Sequence, residues 1–222
     1  ENSKLLAQLA KPRVGLQTSN NERFIRLWHE IDYTKMRLGV SDAKETIKVG
    51  GKWFPHNKGG EYRKWYGNNI NVVDYENDGF DIKAEKAENL RLGLIEKKNS
   101  QCWNSEFYFK EALTWSRISS SNFGIRYSPV GFVFDTAGTC IFADQKLLKY
   151  LLGLLTSNVV KEILLMLNPT LTFQTGDISN IPVIFKENDV EITSKVNSSI
   201  ETSKNDWDSY ETSWDFKRNP LV

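Results

Sequence analysis

Three polar stretches of this 222-residue chain carry side chains suited to grip a polyanion and read its edges. The first, KWFPHNKGGEYRKWYGNN, sets Lys52, Lys58, Arg63 and Lys64 among Trp53, Phe54, Tyr62, Trp65 and Tyr66. Cations suit phosphate, flat rings supply apolar surface, and glycines let backbone amides come close. Lys52, Lys58, Arg63, Lys64, Trp65 and Asn68 are therefore candidate backbone contacts. The second, TWSRISSSNFGIRY, offers Arg117, Ser119, Ser120, Ser121, Asn122 and Arg126, where Arg matches guanine edges, Asn matches adenine and Ser suits base or phosphate. In the third, NPTLTFQTGDISNIP, Thr170, Thr172, Gln174 and Thr175 precede a short helix whose amino terminus is a candidate phosphate seat. Each stretch also has a plain structural reading: aromatics as core with a solvated charged edge, a Ser/Asn turn, and a capped helix start.

The chemistry that is missing narrows the choice. A methyl-transferring enzyme needs a glycine turn for its cofactor and, for an amino target, an Asn/Asp-Pro-Pro-aromatic loop for the extruded base. Neither occurs: Asn168-Pro169-Thr170-Leu171 shares only the first two letters and reads as a helix stop. Two histidines (His29, His56) and two distant cysteines (Cys102, Cys140) give no metal-ligand spacing, so no metal site is expected. Gly50-Gly51-Lys52 and Lys58-Gly59-Gly60 lack P-loop spacing. Asp74, Glu76, Asp78 and Asp81 are the one dense carboxylate group a nuclease reading would need, and a solvated turn is the better account of them. No catalytic residue is assigned, and no cofactor is expected in this chain.

The elements that must position these stretches are partly visible. In NNERFIRLWHEI, Phe24, Leu27, Trp28 and Ile31 recur at helical spacing behind Asn20 or Asn21, which predicts a helix. From Lys52 to Phe142, short aromatic and β-branched runs broken by Gly, Asn, Pro and Ser predict irregular β structure, interrupted by a helix near 84–96. Leu147, Leu148, Leu151, Leu155, Val159 and Leu164 behind Asp144 predict one long helix ended by Asn168-Pro169. The expected fold is α+β: an N-terminal connector and helix (1–35), an irregular β-rich domain with a long packing helix (36–185), and an acidic helical connector (186–222).

Charge is uneven along the chain although the net is only +1. Between Lys48 and Tyr66 five basic residues face one Glu, whereas from Lys186 to Phe216 three lysines face eight acids. That asymmetry predicts one phosphate-facing surface and one that avoids phosphate. No apolar run approaches the roughly 20 residues of a membrane span, and the cysteines fit reduced thiols of a cytoplasmic protein. The start at Glu1 without Met and the stop at Val222 suggest a piece of a longer polypeptide.

The stretches GLQTSNNERFIRLWHEI, KWFPHNKGGEYRKWYGN, TWSRISSSNFGIRY and ITSK through ETSWDFKRNPL resemble the C-terminal part of PglX-type adenine-specific DNA methyltransferases of type 1 BREX phage-defence systems. The run YLLGLLTSNVVKEILLMLNPTLTFQTGDISNIPVI is also similar to target-recognition domains of type I specificity subunits and MmeI-like enzymes. The resemblance implies a module that reads a short DNA sequence while a catalytic domain in cis methylates adenine N6 with S-adenosylmethionine. It makes double-stranded DNA and other BREX proteins the expected partners, with phage DNA-mimic proteins as possible competitors. It also implies that Lys52, Trp53, Lys58, Gly59, Gly60, Arg63, Lys64, Trp65, Gly67 and Asn68 are framework, and puts base choice in 78–104 and in the Arg117–Arg126 turn. A protein-docking scaffold using the same basic surface is the alternative.

Overall fold

The computed structural model describes residues 3–96, 101–119, 121–185 and 190–222. Along the first half run β1 (Lys4–Leu5), α1 (Leu6–Leu9), β2 (Lys11–Arg13), α2 (Asn21–Phe24), β3 (Ile25–Leu27), α3 (Glu45–Val49), β4 (Trp53–Asn57), β5 (Asn71–Asp74) and α4 (Glu76–Arg91). The second half holds β6 (Ala112–Ser116), β7 (Ile125–Ser128), β8 (Val133–Phe134), β9 (Gly138–Phe142), α5 (Gln145–Leu155), α6 (Asn158–Leu167), α7 (Thr175–Ser179), β10 (Pro182–Val183) and α8 (Val190–Asp208). The fold is α+β, as the sequence led us to expect.

Two four-stranded sheets, ordered β2-β9-β6-β7 and β3-β5-β4-β8, face each other, and helices cover the first on its outer side. Side chains alternate across a strand. Leu113 and Trp115 of β6, with Ile125 and Ile141, therefore turn towards the helices, where Leu148, Leu151 and Leu152 of α5, Leu164 of α6 and Ile178 of α7 meet them. On the opposite face, Ala112, Cys140 and Phe142 meet Phe54 and Val73 of the other sheet over Tyr75, Tyr108, Phe109 and Phe134. The rings there pack edge to face at 5.3–5.7 Å, a geometry their quadrupoles favour.

Three expectations need correction. Asn20 does cap a helix, accepting the Arg23 N–H at 3.0 Å, but α2 is a single turn. The chain then pairs as β3 with β5, Ile25 opposite Val73. Its apolar residues serve two cores rather than one face: Phe24 enters the core between the sheets, while Trp28 and Ile31 pack on Met36, Trp53 and Val72 outside it. The long helix is two helices bent by 76°. The Thr156 hydroxyl donates to the Leu152 carbonyl at 2.9 Å, and Ser157 caps α6 by accepting the Val160 N–H. Such hydroxyl–backbone bonds offer the chain an alternative to a continuing helix. Among the described residues no single helix is long and apolar enough to cross a membrane. Finally, α4 spans 76–91, earlier than expected, and enters through a left-handed turn at Asn77, Asp78 and Gly79.

The end segments are built into the body. β1 pairs with β10, β2 with β9, and Leu6 joins the helix-side core. From α8, Val196 and Ile200 join that core, and beyond it the Thr212 carbonyl accepts the Trp28 indole N–H at 2.9 Å. β1, β2 and α8 thus pack against the sheets and helices between them.

Candidate nucleic-acid interface

The KWFPHNKGGEYRKWYGNN loop leaves β4 and folds back on its own protein. Lys52 is 3.3 Å from Asp74, and the Lys58 ammonium donates to Asp135 at 2.8 Å. Arg63 donates to the Tyr66 carbonyl at 2.7 Å and to Asp206 of α8 at 2.6 Å, with its guanidinium over Trp207. Lys64 donates to the Thr156 carbonyl at 2.8 Å, and Asn68 to the Glu61 carbonyl at 2.8 Å. Trp65 adopts a positive φ of 71° and exchanges backbone bonds with Ile125 and Tyr127. The basic residues expected to face phosphate are thus engaged within the chain. Each of the four cations has a partner inside the chain, and Arg63 is held by the acidic C-terminal helix itself.

Asp135 is the centre of this arrangement. Its buried carboxylate takes Lys58, the N–H groups of Ala137 (2.6 Å) and Gly138 (2.9 Å), and His56 Nε2 at 3.4 Å. Burial alone would push this carboxyl up; hydrogen bonds and charge from His56 and then Lys58 hold it well below the usual carboxylate range. The same loop needs glycine at Gly59, whose φ is 87° and where a Cβ would lie 2.9 Å from the Ala137 carbonyl. Among the acids of the nuclease reading, Asp74 is committed to Lys52 and Asp78 to Lys83. The described residues include no group of three or more His, Cys, Asp or Glu able to hold a metal.

The second and third stretches, some 50 residues apart in sequence, are zipped together. The Phe173 N–H donates to the Arg117 carbonyl at 2.7 Å and the Ser119 N–H to the Leu171 carbonyl at 3.0 Å, so Ile118 faces Thr172. Below them Trp115 donates its indole N–H to the Phe173 carbonyl at 3.0 Å, and the Phe123 and Phe173 rings meet at 5.1 Å. Asn168 shapes the far end, donating to the Thr172 carbonyl and to Asp177 while accepting the Thr170 N–H.

This frame sorts the remaining candidates. Ser119 is buried and donates to the Asn122 carbonyl at 2.7 Å, so it closes the turn. Ser120 lies outside the described residues. Arg126 is 2% exposed, with Nε and Nη1 unpaired, and burial pushes its guanidinium down to about 10. Its assignment to base reading is corrected, because it points between the sheets. At the expected phosphate seat, α7 has five residues and Asp177 Oδ2 accepts the Gln174 N–H at 2.9 Å, with Thr175 in the first turn.

Arg117 is half-buried and its side chain has no partner among the described residues, while Ser121, Asn122, Thr170 and Gln174 are exposed. Ile118 (66% exposed) and Leu171 (48%) stand between them. Beside this edge a cavity of about 110 Å³ is lined by Tyr62, Lys64, Asn122, Thr156, Asn158 and Lys161. Lys161 escaped the sequence reading because it was placed within an unbroken helix; the Thr156-Ser157-Asn158 cap signal marks the break that brings it here.

No family model matches the chain. It is 39% identical over 218 residues to the adenine-specific methyltransferase PglX of Lacticaseibacillus casei (strain Zhang), covering 98% of this chain and 18% of that protein. It is 38% identical over 212 residues to the adenine-specific methyltransferase BrxX of Escherichia coli O9:H4 (strain HS), covering 94% of this chain and 16% of that protein. Nearly the whole chain is thus homologous to a partial region of the adenine-specific methyltransferases PglX and BrxX.

Proposed function

We propose that this chain is the DNA-recognition module of an N6-adenine DNA methyltransferase of BREX phage defence. It presents double-stranded host DNA to a catalytic domain in cis, and that domain binds S-adenosylmethionine. One observation carries the reading: the backbone of Arg117 and Ser119 is tied to that of Leu171 and Phe173 over Trp115, Phe123 and Phe173, with Arg117 half-buried and unpartnered among the described residues and Ser121, Asn122, Thr170 and Gln174 exposed. Arg and Asn offer the paired donors and acceptors that distinguish guanine and adenine in the major groove, and a rigid mount holds them in register. A net charge of +1 leaves little room for affinity from counterion release alone, so discrimination rests on such contacts.

Binding of the full-length enzyme to duplexes of its methylation site, followed by fluorescence anisotropy, tests this. Arg117→Ala and Asn122→Ala are each expected to weaken binding to that site by about 1–3 kcal/mol, roughly 5- to 150-fold, with little change on unrelated duplexes. Equal losses on both duplexes, or none, would remove these residues from base reading.

A second surface is favoured by α6, which leaves Val159, Leu165, Met166 and Leu167 exposed, Met166 at 76%. Apolar surface of this kind suits a protein partner, either the methyltransferase body in cis or other BREX proteins. A phage protein that mimics DNA would compete at the Arg117 edge instead.

A further inference from the structure

Three of the four cations in the basic loop are neutralised by a carboxylate: Lys52 by Asp74, Lys58 by Asp135 and Arg63 by Asp206. Lys64 is the exception. Its ammonium donates to the Thr156 carbonyl at 2.8 Å, a neutral partner, and no carboxylate among the described residues pairs with it. Thr156 lies at the elbow between α5 and α6, where Lys64 lines the cavity of about 110 Å³ beside the Arg117 edge. Lys161 of α6 lines the same cavity, is exposed, and has no side-chain partner among the described residues. The acid next to it, Glu162, is the following residue of the helix and so projects about 100° away; it forms no part of the wall.

Two uncompensated positive charges thus meet at one small space whose wall contains no Asp or Glu among the described residues. Like charges held together repel, and an anion between them removes that cost. The rest of the polar wall favours the same occupant. The Tyr62 hydroxyl and the Asn122 and Asn158 side-chain amides have no partner among the described residues, and the Ser157 hydroxyl accepts the Val160 N–H while keeping its own hydrogen to donate. Room for a few waters suits a tetrahedral oxyanion and falls well below the about 300–1,000 Å³ of sites for larger organic ligands. Backbone bonds fix this wall: the Trp65 N–H donates to the Ile125 carbonyl at 3.0 Å and the Tyr127 N–H to the Trp65 carbonyl at 2.8 Å, which stitches the basic loop along β7. Gly124 permits the close approach, since a Cβ there would lie 2.6 Å from the Arg63 carbonyl. Tyr62 and Lys64 are thereby held beside Asn122, which belongs to both the cavity and the reading edge.

We propose that this cavity takes one backbone phosphate of the bound duplex, held by Lys64 and Lys161, and so sets the register in which Arg117 and Asn122 meet the bases. This contact rests on the DNA-recognition reading above and carries no sequence information of its own. Both ammonium groups donate charge-assisted hydrogen bonds to the non-bridging oxygens, and the Tyr62 and Ser157 hydroxyls complete the grip. Lys64 keeps its bond to the Thr156 carbonyl meanwhile, because an ammonium has three hydrogens to give.

The test follows binding of the full-length enzyme to duplexes of its methylation site and to unrelated duplexes over a range of salt. Lys161→Gln removes an exposed charge with no partner among the described residues, so the fold is kept. It is expected to weaken binding to both duplexes by the same factor, roughly five- to tenfold at about 0.1 M salt, and to make the slope of log K against log salt shallower by about 1. Arg117→Ala, by contrast, should weaken binding to the methylation site alone. A scan with single methylphosphonate linkages, which lack the phosphate charge, then locates the contact: one position should cost the wild type that same factor and cost Lys161→Gln nothing. Wild-type affinity and slope in Lys161→Gln, or a loss confined to the methylation site, overturns the phosphate contact and leaves the base-reading edge standing. Methylphosphonate losses equal in the two proteins at every position overturn it as well, even where inorganic phosphate binds the cavity. A wild-type enzyme that binds no duplex overturns it together with the recognition reading.

Discussion

Asp135→Ala is expected to destabilise the protein by about 3–5 kcal/mol, the usual result of removing one partner from a buried charge cluster. The carboxylate is 2% exposed and joins Lys58, His56 and two backbone N–H groups. Its loss strands His56, which is wholly buried, and frees the glycine loop that Lys58 ties down. It also weakens the seam between the sheets, where the Asp135 N–H donates to the Asn57 carbonyl at 3.2 Å. The sign of the pH effect follows from a carboxyl held well below its ordinary range in the folded state. Its contribution is fully present above the unfolded value of about 4 and is lost as pH falls below that, at up to about 1.4 kcal/mol per pH unit. Urea unfolding at pH 7 and pH 3 should therefore show wild type and variant converging in acid. A gap that stays constant with pH, or one below about 1 kcal/mol at pH 7, would show that Asp135 does not hold this cluster.

Trp115→Ala is expected to cost a further class of stability, about 3–5 kcal/mol, because a wholly buried indole leaves a large cavity behind it. Trp115→Phe separates packing from hydrogen bonding. Phenylalanine fills much of the space but cannot donate to the Phe173 carbonyl, now 3.0 Å from the indole nitrogen, and an unsatisfied buried carbonyl costs about 1–3 kcal/mol. The local consequence matters more for function: the Phe173 and Ser119 amides, which join the two loops, should lose protection in hydrogen exchange before the strands of the core do. Protection unchanged at both amides in Trp115→Phe would mean that the loop pair does not depend on this anchor.

Sequence made the local features legible. The β-rich middle broken by Gly and Asn turns, the Asp144 cap and the Asn168 stop depend on neighbours a few residues away, and the structure holds all of them. The helix expected at 20–31 failed because β3 finds its partner in β5, a pairing that spacing within the segment cannot reveal. The basic loop was visible, but its counter-charges were not: Asp135 lies 77 residues from Lys58 and Asp206 lies 143 from Arg63. A local excess of positive charge looked free because its neutralising acids come from distant elements. Arg126 misled for a related reason. Its sheet is covered on both faces, so Ile125 and Arg126, which point to opposite sides, are both buried.

Base reading by the segment that carries Arg117 and Asn122 is the central claim. The most direct measurement is a genome-wide map of N6-methyladenine in a host carrying the full-length enzyme with residues 117–122 exchanged for the corresponding residues of the Lacticaseibacillus casei relative. The expected result is continued methylation at an altered sequence motif. Full methylation at the unaltered motif would contradict it.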